Sequence, residues 1–144
     1  MNTKTILLVE DNPSDVSLTR RALVKNAISN PLVVTEDGQE ALDYLFCNGK
    51  FSTRNLTDLP VVILLDLKLP KIDGLEVLRR IRADSRTRRI PVVILTSSGQ
   101  EEDISTGYDC GTNSYIRKPI NFTDFAETIK QLSLYWLVIN EPPP

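Results

Sequence analysis

Short runs of continuous apolar residues alternate along this chain with longer segments in which apolar positions recur every three or four residues. The runs Ile6-Leu7-Leu8-Val9, Leu32-Val33-Val34-Thr35, Val61-Val62-Ile63-Leu64-Leu65 and Val92-Val93-Ile94-Leu95 are strand-length. Continuous apolarity without polar alternation predicts strands buried on both faces, the habit of a parallel sheet. A fifth stretch, residues 113–119, is shorter and more polar, as expected at a sheet edge. The periodic segments predict helices. One runs from about Pro13 to Lys25 behind an Asn12 cap, with Val16, Thr19 or Arg20, Leu23 and Ala27 toward the sheet. Asp37 with a reciprocal Glu40, and Asp73 with Glu76, mark two further helix starts. Their apolar faces are Ala41, Leu42, Leu45 and Phe46 in one, and Leu75, Leu78 and Ile81 in the other. The segment from Gln100 to Cys110 is a weak helix anchored by Ile104 and Tyr108 and loosened by Gly107 and Gly111. Asn121 caps the last helix, where Phe122, Phe125, Ile129, Leu132 and Trp136 keep helical spacing.

Five strands alternating with five helices are βαβ units, which require a parallel sheet covered on both faces. The order 2-1-3-4-5 centres the three most apolar strands and leaves the second and fifth at the edges. The expected fold class is therefore α/β, a flavodoxin-like doubly wound five-stranded sheet. Residues 1–140 form one domain, and residues 141–144 form a proline-rich tail. The long connection over residues 47–60 carries Phe51, Leu56 and Leu59 and is expected to be packed by its own side chains. Arg79, Arg80, Arg82, Arg86, Arg88 and Arg89 read as a solvated face. Past Ser133 the last helix becomes apolar almost all round, so Leu134, Tyr135, Trp136 and Val138 are candidate interface residues.

Composition removes several function classes. A net charge of −2 over 144 residues argues against nonspecific nucleic-acid binding. No apolar run is long enough to span a bilayer, and Met1-Asn2-Thr3-Lys4 leads into a strand without a signal-peptide pattern, which makes the cytoplasm the expected compartment. Cys47 and Cys110 belong to no metal or redox motif. The chain has no histidine, which excludes a Ser/His/Asp triad, a His-ligated zinc site and a histidine phosphocarrier.

In the expected order Glu10, Asp11, Asp66, Thr96 and Lys118 emerge at one rim, at the carboxyl ends of the strands where such sheets place ligands. Two carboxylates about 4 Å apart repel by about 4 kcal/mol at an effective dielectric near 20, and a divalent cation resolves the conflict. All-oxygen ligation with positions open to water and phosphate favours magnesium over zinc. A phosphoryl group arriving there finds the cation, the Lys118 ammonium and the Thr96 hydroxyl for its oxygens, and Asp66 as the nucleophile.

Glu10-Asp11, Asp66-Leu67-Lys68-Leu69-Pro70 with Asp73-Gly74, Thr96-Ser97 and Lys118-Pro119 together resemble the signature of the receiver domain of two-component response regulators. The likeness runs in order and spacing over about residues 4–133. The long connection and the Trp-bearing carboxyl extension further resemble the single-domain regulators that partner phytochrome-type histidine kinases. The resemblance implies that Asp66 accepts phosphate from a kinase phosphohistidine. It also implies that Asp11, Asp66 and the Lys68 backbone carbonyl bind Mg2+, with Glu10 assisting through water. Thr96 and Tyr115 stand at the family's switch positions, the Lys118-Pro119 bond is implied to be cis, and a homodimer through the fourth helix, fifth strand and last helix is the implied output. Two rivals share the fold: a phosphatase using an aspartyl phosphate, and a phosphorylation-independent adaptor. Such phosphatases carry a second Asp two residues after the nucleophile, where this chain has Lys68.

Overall fold

The computed structural model describes residues 4–119 and 121–144. The expectation for the leading Met1 to Thr3 lies outside the described residues. Strands β1 (Ile6–Val9), β2 (Leu32–Thr35), β3 (Val62–Leu65), β4 (Val92–Thr96) and β5 (Ser114–Arg117) form one parallel sheet. Their order is β2-β1-β3-β4-β5, as the pattern predicts. Helices α1 (Pro13–Lys25), α2 (Gly38–Phe46), α3 (Gly74–Ala83), α4 (Glu101–Asp109) and α5 (Phe122–Ser133) make the crossovers.

The continuous apolar runs serve two cores at once because successive strand side chains point to opposite faces. Leu7, Val9, Ile63, Leu65, Val92 and Ile94 pack with Ala41, Leu42, Leu45, Val77, Leu78 and Ile81 of α2 and α3. The alternate residues Ile6, Leu8, Val62, Leu64, Val93 and Leu95 pack with Ala22 and Leu23 of α1 and with Phe125, Ala126 and Ile129 of α5. Each centre-strand residue therefore loses its water on whichever face it occupies.

The caps form where the sequence places them. Asn12, Asp37, Asp73 and Asn121 each accept a backbone N–H from the first turn of the following helix. The reciprocal arm of the α2 cap is displaced by one residue: Glu40 accepts from Glu36 N at 2.7 Å instead of from Asp37 N. Two other expectations need correction. Ala27 lies beyond the end of α1 with φ 56°, exposed, because the helix is closed off at Asn26. Tyr108 is exposed, and α4 instead buries Gly107, where an added Cβ would come within 2.9 Å of Ile94 and 3.4 Å of Tyr115.

The connection after α2 is packed by its own side chains, as expected. The Phe51 ring meets Tyr44 edge-on at 5.1 Å, and the Arg54 guanidinium lies 3.9 Å from the Tyr44 ring centre while donating to the Tyr44 and Asp58 carbonyls. Among the arginines, Arg79, Arg80 and Arg86 make surface pairs with Glu76 and Asp84. Arg82 departs from the solvated reading. Its guanidinium donates to the carbonyls of Gly111, Arg88 and Ile90 and to Asn113 Oδ1, at 2.7 to 3.0 Å. It thereby fastens the end of α3 to the turn between α4 and β5, and burial holds its pKa below the ordinary value. Arg82→Ala is expected to lower unfolding free energy by about 2 kcal/mol in a urea titration, the cost of orphaning partly buried acceptors.

Beyond α5 the chain continues as a π-helical stretch, Leu134–Ile139. Trp136 and Leu137 turn inward onto the core beneath α1 and α5. Leu134, Tyr135, Val138 and Ile139 remain 44 to 73 % exposed, so the helix end is uncovered on one side only.

Candidate phosphoryl-transfer site

Parallel registry determines which strand ends become neighbours. Val9 pairs with Leu65 and Thr96 with Arg117, so the residues that follow, Glu10, Asp66 and Lys118, leave the sheet together. Backbone bonds continue the ladder past the last paired residues: Asp66 N donates to Val9 O at 3.1 Å and Lys118 N to Thr96 O at 2.7 Å. Among the described residues no peptide bond is cis, so the Lys118-Pro119 bond is trans, in contrast to the resemblance. Trans is the lower-energy isomer even before proline, by about 0.5–1 kcal/mol, and the Lys118 side chain reaches the rim from it.

At the centre of the site lies the Lys118 ammonium. It donates to Glu10 Oε1 at 2.5 Å, Asp15 Oδ2 at 2.8 Å and Asp66 Oδ2 at 3.0 Å. The other oxygen of Asp66 accepts the N–H of Leu67 at 2.7 Å. Gly74 closes the back of the site: a Cβ there would stand 2.2 Å from the Asp66 carbonyl oxygen, so only glycine lets α3 start so near the strand.

Charge and burial set the protonation of these groups. Burial alone would raise the Asp66 carboxyl, but the Lys118 charge, the Thr96 hydroxyl and the Lys118 hydrogen bond outweigh it and hold the group below its ordinary value. It is a carboxylate at neutral pH. Burial lifts Glu10 to about 7, with the charge of Asp66 adding to the lift and Lys118 opposing it. Burial would depress Lys118, yet its bonds to Asp15 and Glu10 and the charge of Asp66 keep the ammonium above its ordinary value.

Asp11 is exposed and makes no salt bridge to Lys118. With Lys68, Leu75, Asp73 and Asp103 it lines an open hollow of about 470 Å³ beside Leu67. The expected convergence on a dication is thus only partly drawn. Among the described residues no group of three or more acidic, histidine or cysteine side chains is arranged to hold a metal ion. Lys118 is the cation that three of the acids meet instead.

Of the expected switch residues, Thr96 ends β4 and Tyr115 stands on the neighbouring β5, opposite Ile94. Thr96 is fully buried, and Ser98 N approaches its Oγ1 at 3.4 Å. The Tyr115 hydroxyl donates to the Ser98 carbonyl at 2.9 Å, and the Ser98 hydroxyl donates to Asp103 at 2.6 Å. Tyr115 is therefore tied to the loop that follows Thr96. Sequence reasoning missed the site roles of Asp15 and Asp103. Asp15 had a sufficient local explanation as a first-turn acid favoured by the helix dipole, and nothing nearby in the chain says that it also faces Lys118.

A carboxylate held ionised by lysine thus stands at the end of a central strand, beside an open acidic hollow and a buried threonine. Comparison with known proteins assigns the class: the chain belongs to the response regulator receiver domain family, whose profile matches residues 6–130. The response regulator Rcp1 of Synechocystis is 37% identical over 134 residues, covering 93% of this chain and 89% of Rcp1. Its Mn2+-bound crystal structure superposes with a TM-score of 0.88 over 98% of this chain and 99% of that one, at 36% identity. The phosphorylated cyanobacterial phytochrome response regulator RcpA matches with a TM-score of 0.92 and 39% identity, over 99% of this chain and all of RcpA. The probable methanogenesis regulatory protein FilR2 of Methanothrix harundinacea is 41% identical over 138 residues, 96% of this chain and 86% of FilR2. The flavodoxin-like receiver fold and the kinship with phytochrome response regulators stand on these likenesses. No helix among the described residues is long and apolar enough to cross a membrane.

Proposed function

We propose that this receiver domain accepts a phosphoryl group on Asp66 from the phosphohistidine of a sensor histidine kinase of phytochrome type, and that the modified form changes its protein contacts. The observation that carries the reading is the Asp66 carboxylate, ionised between the Lys118 ammonium and the Leu67 N–H and set at the rim of the acidic hollow. In the transfer an Asp66 oxygen bonds to phosphorus as the P–N bond of the donor breaks, and the leaving imidazole takes a proton. Lys118 neutralises charge on the phosphoryl oxygens, and the Thr96 hydroxyl donates to one of them.

The donor set fits a hard divalent cation, magnesium in the cell: the available groups are oxygens, and no salt bridge among the described residues reaches Asp11. Asp11, Asp66 and the Lys68 backbone carbonyl would hold it, with Glu10 engaged through water. When bound, it supplies positive charge for the phosphoryl oxygens. Contact with a second copy through α4, β5 and the carboxyl-terminal helix is the output favoured by the exposed Leu134, Tyr135 and Val138, with Trp136 supporting them from inside.

Incubation with a small acyl phosphate and Mg2+ is expected to give one hydroxylamine-sensitive phosphoryl group per chain, and light scattering is expected to show a shift toward dimer on labelling. Multiple-turnover release of phosphate from a small monoester would establish the phosphatase instead. Labelling with no change in mass or partner affinity would favour the adaptor.

A further inference from the structure

We propose that Asp15 is a positioning residue that holds Lys118 in the unmodified protein and competes for it with a phosphoryl group on Asp66, so that Asp15 sets how strongly the domain resists phosphorylation. This rests on Asp66 being the phosphoacceptor.

An ammonium group has three N–H donors and no more. In this structure all three face carboxylates, those of Glu10, Asp15 and Asp66. When Asp66 becomes an acyl phosphate its carboxylate charge is lost, and the phosphoryl oxygens take over the bond that Lys118 makes to it, while Glu10 and Asp15 still compete for the ammonium. These two are not equally easy to release. The Glu10 side chain is 3 % exposed, so giving up its bond would leave a buried carboxyl without a partner. Asp15 is 30 % exposed and can exchange its bond to Lys118 for water.

Asp15 is also fixed in place. Its backbone N–H approaches Asn12 Oδ1 at 3.3 Å in the α1 cap, and its carbonyl accepts from the Thr19 hydroxyl at 2.9 Å. A phosphoryl group also adds about −1.5 to −2 charge to a site where Asp15 already contributes negative charge. Competition for Lys118 and like-charge repulsion both act against the phosphorylated state. Removing the charge of Asp15 therefore strengthens the phosphorylated state.

The test is titration of full-length protein with beryllofluoride, a phosphoryl mimic, at saturating Mg2+, followed by calorimetry. Asp15→Asn is expected to bind the mimic about tenfold more tightly than the parent, the smallest change that one charged hydrogen bond carries. Asp15→Ser, a second neutral variant, is expected to do the same, and Asp15→Glu to restore the parental affinity. Thermal melts identify any variant that fails to fold, and the remaining variants then carry the comparison. A purely structural role would not alter the Lys118 Nζ resonance of the folded protein. Its proton exchange is expected to speed up in the neutral variants. Unchanged or weaker binding in the folded neutral variants overturns the role of Asp15. Failure of the parent to bind the mimic overturns the assignment of Asp66 instead.

Discussion

Asp66→Asn is expected to leave the fold standing and to abolish Mg2+-dependent labelling by a small acyl phosphate. The amide keeps the size of the carboxylate and an oxygen for the Leu67 N–H, while Lys118 retains Glu10 and Asp15 as partners. It loses the anionic nucleophile that an acyl phosphate requires. Labelling at the parental level would mean that another group is the acceptor. The substitution also leaves a mark on acid stability. Because the folded pKa of Asp66 lies below its ordinary 3.8, the group stabilises the fold above that value, and the contribution is lost as pH falls through the folded pKa. The variant has no such group, so its stability is expected to fall less steeply below about pH 4 than the parent's.

Lys118→Met has the larger effect on the fold itself. It strands Glu10, Asp15 and Asp66 around an apolar side chain, with Glu10 2 % exposed. Breaking a buried ion cluster by removing one partner costs about 3–5 kcal/mol, and denaturant unfolding at pH 7 is expected to show a loss of that size. The pH dependence gives the sign of the cause. Burial and mutual repulsion raise the folded pKa of the stranded acids above the unfolded values, a tendency Glu10 already shows at about 7. The folded state then takes up protons first, so the deficit shrinks as pH falls from 7 toward 4.5. A deficit below about 1 kcal/mol, or one that grows on acidification, would show that Lys118 is not the counter-ion of this cluster. Labelling of Asp66 is expected to fall as well, since the proposed transfer uses Lys118 to neutralise the phosphoryl oxygens.

Most of the architecture was legible because its causes are local. An apolar run of four or five residues that stops at an acid, a hydroxyl or a lysine is a strand together with its functional end, and Asn12, Asp37, Asp73 and Asn121 announce the helices by the bonds they make to their own first turns. The errors fall where a residue had a sufficient local reading and a different tertiary use. Arg82 stood in a run of arginines and was read as solvated, but the turn between α4 and β5 brings carbonyls over it. Tyr108 had the spacing of an anchor, yet the close approach of Gly107 to β4 turned it outward.

The sequence by itself determined the sheet, its order and the identities of the acid, hydroxyl and lysine at the strand ends, because backbone propensity, capping and period-two burial act over a few residues. Tertiary structure alone decided the wiring between them. Lys118 meets Glu10 across 108 positions and Asp15 across 103, Trp136 turns inward while Tyr135 does not, and Asp11 makes no salt bridge to the lysine that its neighbour Glu10 reaches. Such pairings depend on side-chain reach across a folded rim, where ångström differences choose among several chemically equivalent carboxylates, and chain spacing carries no record of that choice.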